Sequence, residues 1–324
     1  MVARAVHGVV AGGHCPDMSI DLLVPGVVTG AVNETVTDVR TRLGAALFAK
    51  VAGPEGPKVS ARIHGRPGDR WFEPGSPIQR VHGDASMFVG GLRALMMQAL
   101  HPAAMTAVAE HSGFRGDMWG RLARTSTFVA VTTYGTAEDA QAAVDAVRRI
   151  HDRITGTLED GSPYRASDPH LLKWIHVAEL DSFLLAYNTY GAEPLTPAER
   201  DEYVAQAAVV AEKLGVIDPP RTEAELRATL AAYRPELRGS KHARDAVGFL
   251  IRHPDLPIAA RPAYLVLVAA AVGLMPLWTR PQLRLPWLPV TERTVVRVLG
   301  HVATGTIRWA LMPPEQPEEL ARPA

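Results

Sequence analysis

Two short segments in the first half of the chain carry the side chains best suited to chemistry. In the first, Arg121, Arg124 and Thr125 stand three and four residues apart, so they would share one face of a helix. Two guanidinium groups and a hydroxyl on one face suit the binding of a carboxylate, a phosphate or a polarised oxygen species. A solvated basic patch would show the same spacing, but the apolar residues that follow favour an orientation toward the interior.

The second segment carries His151 on an apolar stripe, in which Ala140, Val144, Val147 and Ile154 recur at helical spacing. The charged residues of this segment lie on its other face. A histidine that faces the core needs partners for its ring nitrogens. His151 could therefore be a core histidine bonded to a backbone carbonyl, or a ligand of a metal or haem iron.

Two further histidines lie in long apolar segments. His101 precedes Pro102, which should kink a helix and free a backbone carbonyl. The imidazole could satisfy that carbonyl or line a pocket at the kink. His176 shares a helical face with Leu172 and Glu179, so it could be a core histidine or could support a neighbouring ligand.

His82 and Asp84 match half of a two-histidine, one-carboxylate iron site. Such sites usually lie on β-sandwiches, and an aspartate here is equally typical of a helix N-cap, so we favour the capping role. The sequence contains no HExxH zinc motif, no ExxH pair of a di-iron bundle, no phosphate-binding glycine loop and no GxSxG elbow.

The elements that would position these residues are helices. Residues 1–80 are rich in glycine and proline, and we predict an irregular lead-in with one short helix over 37–51. Residues 81–312 form a helical domain and 313–324 a tail, with helices at about 137–156, 257–275 and 291–311. Helix caps are predicted at Thr136, Ser167 or Asp168, Thr196 and Thr222, and helix stops at Gly156 and Gly215. The predicted fold is all-α, with a single helical domain.

Composition excludes several classes of function. Thirty-four basic and 34 acidic residues cancel, which argues against a nucleic-acid partner. The apolar run 263–278 is shorter than the roughly 20 residues that span a bilayer, and Pro276 interrupts it, so we expect a buried helix and no membrane span. The same run could serve a homodimer. The N-terminal residues lack the pattern of an export signal, and we expect a cytoplasmic protein.

Several blocks of sequence occur together in a familiar order: GGLRALMMQALHP, VAEHSGF, GRLARTSTFVAVTTYG, VRRIHDRITG, YRASDPHLLKWIH and MPLWTR. Through them, residues 75–280 resemble the family named for the mycophenolic-acid oxygenase, which includes the latex-clearing rubber oxygenases. The resemblance implies a helical fold with a globin-like core and one non-covalent haem b.

The resemblance also implies roles for individual residues. His151 matches the proximal iron ligand, while Arg121 and Thr125 match residues that stabilise iron-bound oxygen. A lysine that caps the iron in one form of the latex-clearing enzymes corresponds to Arg124. Arginine has no lone pair for iron, so it would leave this position open or water-bound and act as a donor to oxygen or to a haem propionate. From their positions in apolar segments, and not from the resemblance, we add His101 and His176 as candidate cofactor-binding residues.

The resulting hypothesis is a haem b-dependent oxygenase, of dioxygenase or peroxygenase type. Its substrate would be a small apolar or amphiphilic organic molecule, oxidised with O2 or peroxide. Two alternatives remain open: a non-catalytic haem-binding sensor or carrier, and a cofactor-free helical protein that binds small molecules.

Overall fold

The computed structural model describes residues 26–111, 118–252 and 256–312. The chain divides into two compact units, Met1–Val39 and Arg40–Ala324, and every candidate site residue described below lies in the second. Residues 1–25 of the predicted lead-in and the predicted tail, residues 313–324, lie outside the described residues.

Helices account for nearly all regular structure in the first half of the described chain. They are α1 (Gly26–Ala52), α2 (Gly56–Gly65), α3 (Pro77–His82), α4 (Met87–Gln98), α5 (Pro102–His111), α6 (Met118–Tyr134) and α7 (Ala137–His151). Two of them, α1 and α2, occupy the region where we expected irregular structure with one short helix. The glycines and prolines there break the chain between helices instead of preventing them.

A small antiparallel hairpin follows, with β1 (Thr155–Thr157) paired to β2 (Pro163–Arg165). The predicted helix stop at Gly156 was wrong, because α7 ends at His151 and Gly156 lies in β1. A Cβ on Gly156 would come within 2.5 Å of the Tyr164 hydroxyl, so this glycine permits close approach across the hairpin.

The second half is again helical. Its helices are α8 (Pro169–Tyr190), α9 (Pro197–Leu214), α10 (Glu223–Tyr233), α11 (Lys241–Arg252), α12 (Arg261–Gly273), α13 (Thr279–Leu283), α14 (Pro289–Thr291) and α15 (Arg297–Leu311). Short 3-10 turns at Arg234–Glu236 and Ile258–Ala260 and a π-helical segment at Glu292–Val296 connect them. The all-α prediction is confirmed.

Side-chain caps begin several of these helices, as predicted. Thr136 accepts a hydrogen bond from the Asp139 amide, Asp168 from His170, and Thr222 from Glu225. Thr196 forms a complete capping box with Glu199, and Gly215 adopts a left-handed conformation after α9. These local hydrogen bonds satisfy backbone groups that a helix end leaves unpaired.

The core is built around α8, which packs against α4, α9 and α10. The predicted apolar run forms α12, which packs on α4 and buries Leu267, Val268 and Ala271 among others. The buried Arg93 of α4 donates to the Ser182 hydroxyl at 2.6 Å and pairs with Asp181 at 2.7 Å, both on α8. A charged side chain thus ties two of the central helices together.

The segment around His101 differs from the kinked helix that we predicted. α4 ends at Gln98, and α5 starts at Pro102 after a three-residue turn. Proline is well suited to the first position of a helix, where its missing N–H is not needed. The turn therefore breaks the helix completely and places His101 between two helices.

Candidate functional site

The helices α6 and α7 pack against each other and are joined by a tight turn at Gly135 and Thr136. Asp69 accepts a hydrogen bond from the Ala137 amide at 2.7 Å, which holds a preceding segment against this turn. Arg121 lies 15 residues before Thr136 and His151 lies 15 residues after it. At the helical rise, each is about 22 Å along its helix from the turn, at the opposite end of the hairpin.

Arg121, Arg124 and Thr125 all lie on α6, at the helical spacing that the sequence predicts. Arg124 and Thr125 are exposed, whereas Arg121 is half-buried. Burial lowers the pKa of the Arg121 guanidinium, and the charge of Arg124 lowers it further. A guanidinium that is desolvated and repelled in this way favours an anion beside it.

His151 is the last residue of α7 and is half-buried. Burial lowers the pKa of its imidazole, an effect that the nearby charge of Asp152 partly offsets. Its Nδ1 atom is buried and forms no hydrogen bond within the described residues. A neutral imidazole with an unbonded buried nitrogen suits coordination to a metal, since coordination would satisfy that atom.

His176 and Glu179 lie one turn apart on α8, near the middle of the core. Burial lowers the pKa of His176 to about 4 and raises that of Glu179 to about 7. Both side chains retain some exposed surface. The Nε2 atom of His176 is another buried nitrogen that forms no hydrogen bond within the described residues.

His82 belongs to a polar cluster that lies beside Glu179. Its Nδ1 is 2.8 Å from the Thr133 hydroxyl, and its Nε2 is 3.3 Å from the hydroxyl of Tyr203, whose pKa is raised by burial and by the charge of Glu179. Asp84 instead accepts a hydrogen bond from the Ser86 amide at 2.7 Å, just before α4. The capping role that we favoured for Asp84 was wrong, because the N-cap of α4 is Ser86 and has no side-chain cap. The Asp84 carboxylate instead pairs with the Arg308 guanidinium of α15 at 2.8 Å.

His101 lies in a different group from the one that the sequence suggested. Its ring nitrogens form no hydrogen bond in the described part of the chain, so it does not satisfy a freed carbonyl. The Nε2 atom of His101 lies 3.7 Å from a carboxylate oxygen of Glu236, which is also 2.8 Å from His170 Nε2. His101 therefore lies near His170 and Glu236, two residues that we did not select from the sequence.

Residues 79–308 match the family described as "ER-bound oxygenase mpaB/B'/Rubber oxygenase, catalytic domain". The match covers more than two thirds of the chain, so the protein belongs to this family of oxygenase catalytic domains. No curated protein and no solved structure matches the chain significantly. The globin-like core implied by the resemblance accordingly stays a prediction.

Family membership identifies the protein as an oxidoreductase of the oxygenase class. None of the helices in the described ranges is long and apolar enough to cross a membrane. The sequence shows that Glu179 lies one turn after His176, but it does not show that the pKa of Glu179 is raised, because that shift depends on burial in the folded protein. Sequence reasoning also missed His170 and Glu236, which are 66 residues apart and carry no motif.

Proposed function

We propose that the protein is a haem b-dependent oxygenase in which His151 is the iron ligand. The observation that carries the proposal is the His151 imidazole: neutral, half-buried, with an unbonded buried nitrogen, in a chain that belongs to an oxygenase family. Haem supplies the oxidising chemistry when bound. The chain's contribution is to hold the cofactor, to orient substrate and to control protons and water.

Arg121, Arg124 and Thr125 would act as hydrogen-bond donors on the α6 side of this site. Arg121 is partly desolvated beside Arg124, so an anionic group there would be stabilised. A haem propionate and a reduced oxygen species are both such groups. The exposed Arg124 suits a propionate at the edge of the site, and Arg121 suits charge that develops deeper inside.

His176 and Glu179 would provide proton control on the α8 side. Glu179 exchanges its proton near neutral pH, because burial raises its pKa to about 7. A carboxyl group poised in this way can deliver or accept a proton during turnover. His176 stays neutral at that pH and can donate or accept one hydrogen bond without adding charge.

The substrate class is proposed from the family. Its description includes a rubber oxygenase, and rubber is a hydrocarbon, so we infer a small apolar or amphiphilic organic substrate. A dioxygenase would place both atoms of O2 in the product without an electron donor, whereas a peroxygenase would take its oxidising equivalents from peroxide.

Absorption spectra of the purified protein, oxidised, reduced and treated with carbon monoxide, test the cofactor. We expect a Soret band at one haem per chain, and its loss or a marked shift in His151→Ala. His242→Ala is a matched control, because His242 is also half-buried but lies on α11. Failure of the wild type to bind one haem after reconstitution would overturn the proposal.

Oxygen consumption with candidate substrates separates turnover from simple binding. This chain has Arg124 where the resemblance implies a lysine, and that difference favours one alternative, a haem protein that binds gas without turnover. Stoichiometric haem without substrate-dependent consumption of O2 or peroxide would support that alternative. Clean apo protein that binds an apolar ligand would instead support the cofactor-free alternative.

A further inference from the structure

A second group of potential metal ligands uses neither α6 nor α7. It consists of His101 in the α4–α5 turn, His170 in the first turn of α8, and Glu236 in the 3-10 turn after α10, with one donor atom of each within 4.8 Å of the others. Glu236 Oε2 is 2.8 Å from His170 Nε2 and 3.7 Å from His101 Nε2. Tetrahedral zinc with bonds of about 2.0–2.1 Å separates its ligand atoms by roughly 3.4 Å, between these two values.

The state of His101 points to a missing partner. The residue is 8% exposed, and neither of its ring nitrogens forms a hydrogen bond within the described ranges. A buried polar atom without a partner destabilises the folded state.

The surrounding residues hold His170 in an orientation suited to coordination. The Tyr233 hydroxyl donates to the His170 carbonyl at 2.8 Å and lies 3.3 Å from its Nδ1. The Asp168 carboxylate accepts from the His170 amide at 2.8 Å. Contacts of this kind to the far nitrogen of a histidine fix the ring and its tautomer, leaving Nε2 directed at Glu236.

A backbone hydrogen bond joins the two remaining segments. The Arg238 amide donates to the Leu100 carbonyl at 2.9 Å, which ties the chain around Glu236 to the turn that carries His101. The Arg238 side chain adds a positive charge that opposes cation binding. Because that side chain is exposed, water and salt screen its charge, whereas the Glu236 carboxylate would contact the ion directly.

We propose that His101, His170 and Glu236 form a binding site for a divalent transition-metal ion, with zinc as the ion of choice. Two imidazole nitrogens and one carboxylate oxygen are a known zinc ligand set that leaves one position for water. The ion would cross-link three segments that are distant in the sequence and would stabilise the break between α4 and α5. The site does not depend on the proposed haem function.

The site is tested by measuring zinc binding to the 324-residue chain. The protein should carry no polyhistidine tag and should first be treated with a chelator. We expect one equivalent of Zn²⁺ per chain and a rise in Tm of about 5 °C at saturation. Glu236→Gln and His170→Ala should weaken binding at least about tenfold and abolish the rise in Tm. His64→Ala, a change of an exposed histidine on α2, should bind zinc like the wild type.

The side chain of Glu236 is 43% exposed and that of His170 is 58% exposed, so we expect both variants to fold. Circular dichroism checks this. Absence of stoichiometric zinc in the wild type overturns the proposal. Equal binding by the wild type, Glu236→Gln and His170→Ala overturns it as well, because the ion would then lie elsewhere. Iron content and the Soret band of the same samples report separately on the haem proposal.

Discussion

At the scale of single residues, burial decides the charge of the side chains in the candidate site. His176 and Glu179 are neighbours on α8, and desolvation moves the pKa of each toward its neutral form. His82 follows the same rule, with its pKa lowered to about 3. At neutral pH both histidines are therefore uncharged, and Glu179 is divided between its neutral and charged forms.

Replacement of Glu179 by glutamine should change the pH dependence of stability. The pKa of Glu179 is 4.5 in the unfolded chain and about 7 in the folded protein, so between these values the folded protein binds more protons than the unfolded chain. The free energy of unfolding therefore falls as the pH rises from 4.5 through 7. We expect Glu179→Gln to remove this loss and to be more stable than the wild type at pH 8 by roughly 1–3 kcal/mol, allowing for residual hydration.

Urea unfolding of both proteins at pH 5 and pH 8 measures this effect. His82 and His176 titrate in both proteins, so the difference between the two isolates Glu179. The same change in the free energy of unfolding from pH 5 to pH 8 in both proteins would show that the carboxyl group is not desolvated.

At the scale of elements, the close contact between α4 and α8 depends on a glycine. A Cβ added to Gly90 would lie 3.1 Å from the Phe183 ring and 3.3 Å from both the Phe183 Cα and the Ala186 Cβ. The neighbouring Gly91 has no atom within 4 Å of such a Cβ. Of these two adjacent glycines, only Gly90 lies against another helix in this way.

The pair Gly90→Ala and Gly91→Ala tests this contact with its own control. Gly90→Ala should destabilise the protein by about 1–3 kcal/mol. The new methyl group would press on the Phe183 Cα and the Ala186 Cβ, and neither atom can move away by a side-chain rotation. Gly91→Ala should be neutral or stabilising by up to about 1 kcal/mol, since alanine favours the helix. Thermal and urea unfolding measure both, and equal effects would contradict the packing.

At the scale of the whole molecule, one buried cation joins three parts of the core. Arg93 of α4 is 2% exposed and pairs with Asp181 of α8, while its Nε donates at 3.0 Å to the carbonyl of Leu274, just after α12. A buried ion pair adds little net stability compared with apolar packing, but removal of one partner leaves the other charge without compensation.

Arg93→Ala should therefore destabilise the whole domain by about 3–5 kcal/mol. Arg165→Ala, at an exposed arginine of β2, should change stability by no more than about 0.5 kcal/mol. Urea unfolding followed by circular dichroism measures both variants. A small effect of Arg93→Ala would mean that water reaches Asp181 and replaces the guanidinium.

Local signals in the sequence were sufficient for the fold class and for several helix starts. Thr136, Asp168, Thr196 and Thr222 cap helices through hydrogen bonds that reach only two or three residues along the chain, so the sequence contains both partners. The spacing of Arg121, Arg124 and Thr125 on one helix is local in the same sense. The blocks of resemblance predicted the family, which the match over residues 79–308 confirms.

Only the tertiary structure decided which distant residues meet. His101 and Glu236 are brought together by the α4–α5 break and the turn after α10, neither of which a motif announces. The pKa of Glu179 likewise depends on desolvation by helices from other parts of the chain. The sequence by itself determined the fold class and the oxygenase family, because short-range periodicity and ordered motifs carry both. The partners of buried histidines and carboxylates were decided by packing, since desolvation and ligand convergence arise only when distant segments come into contact.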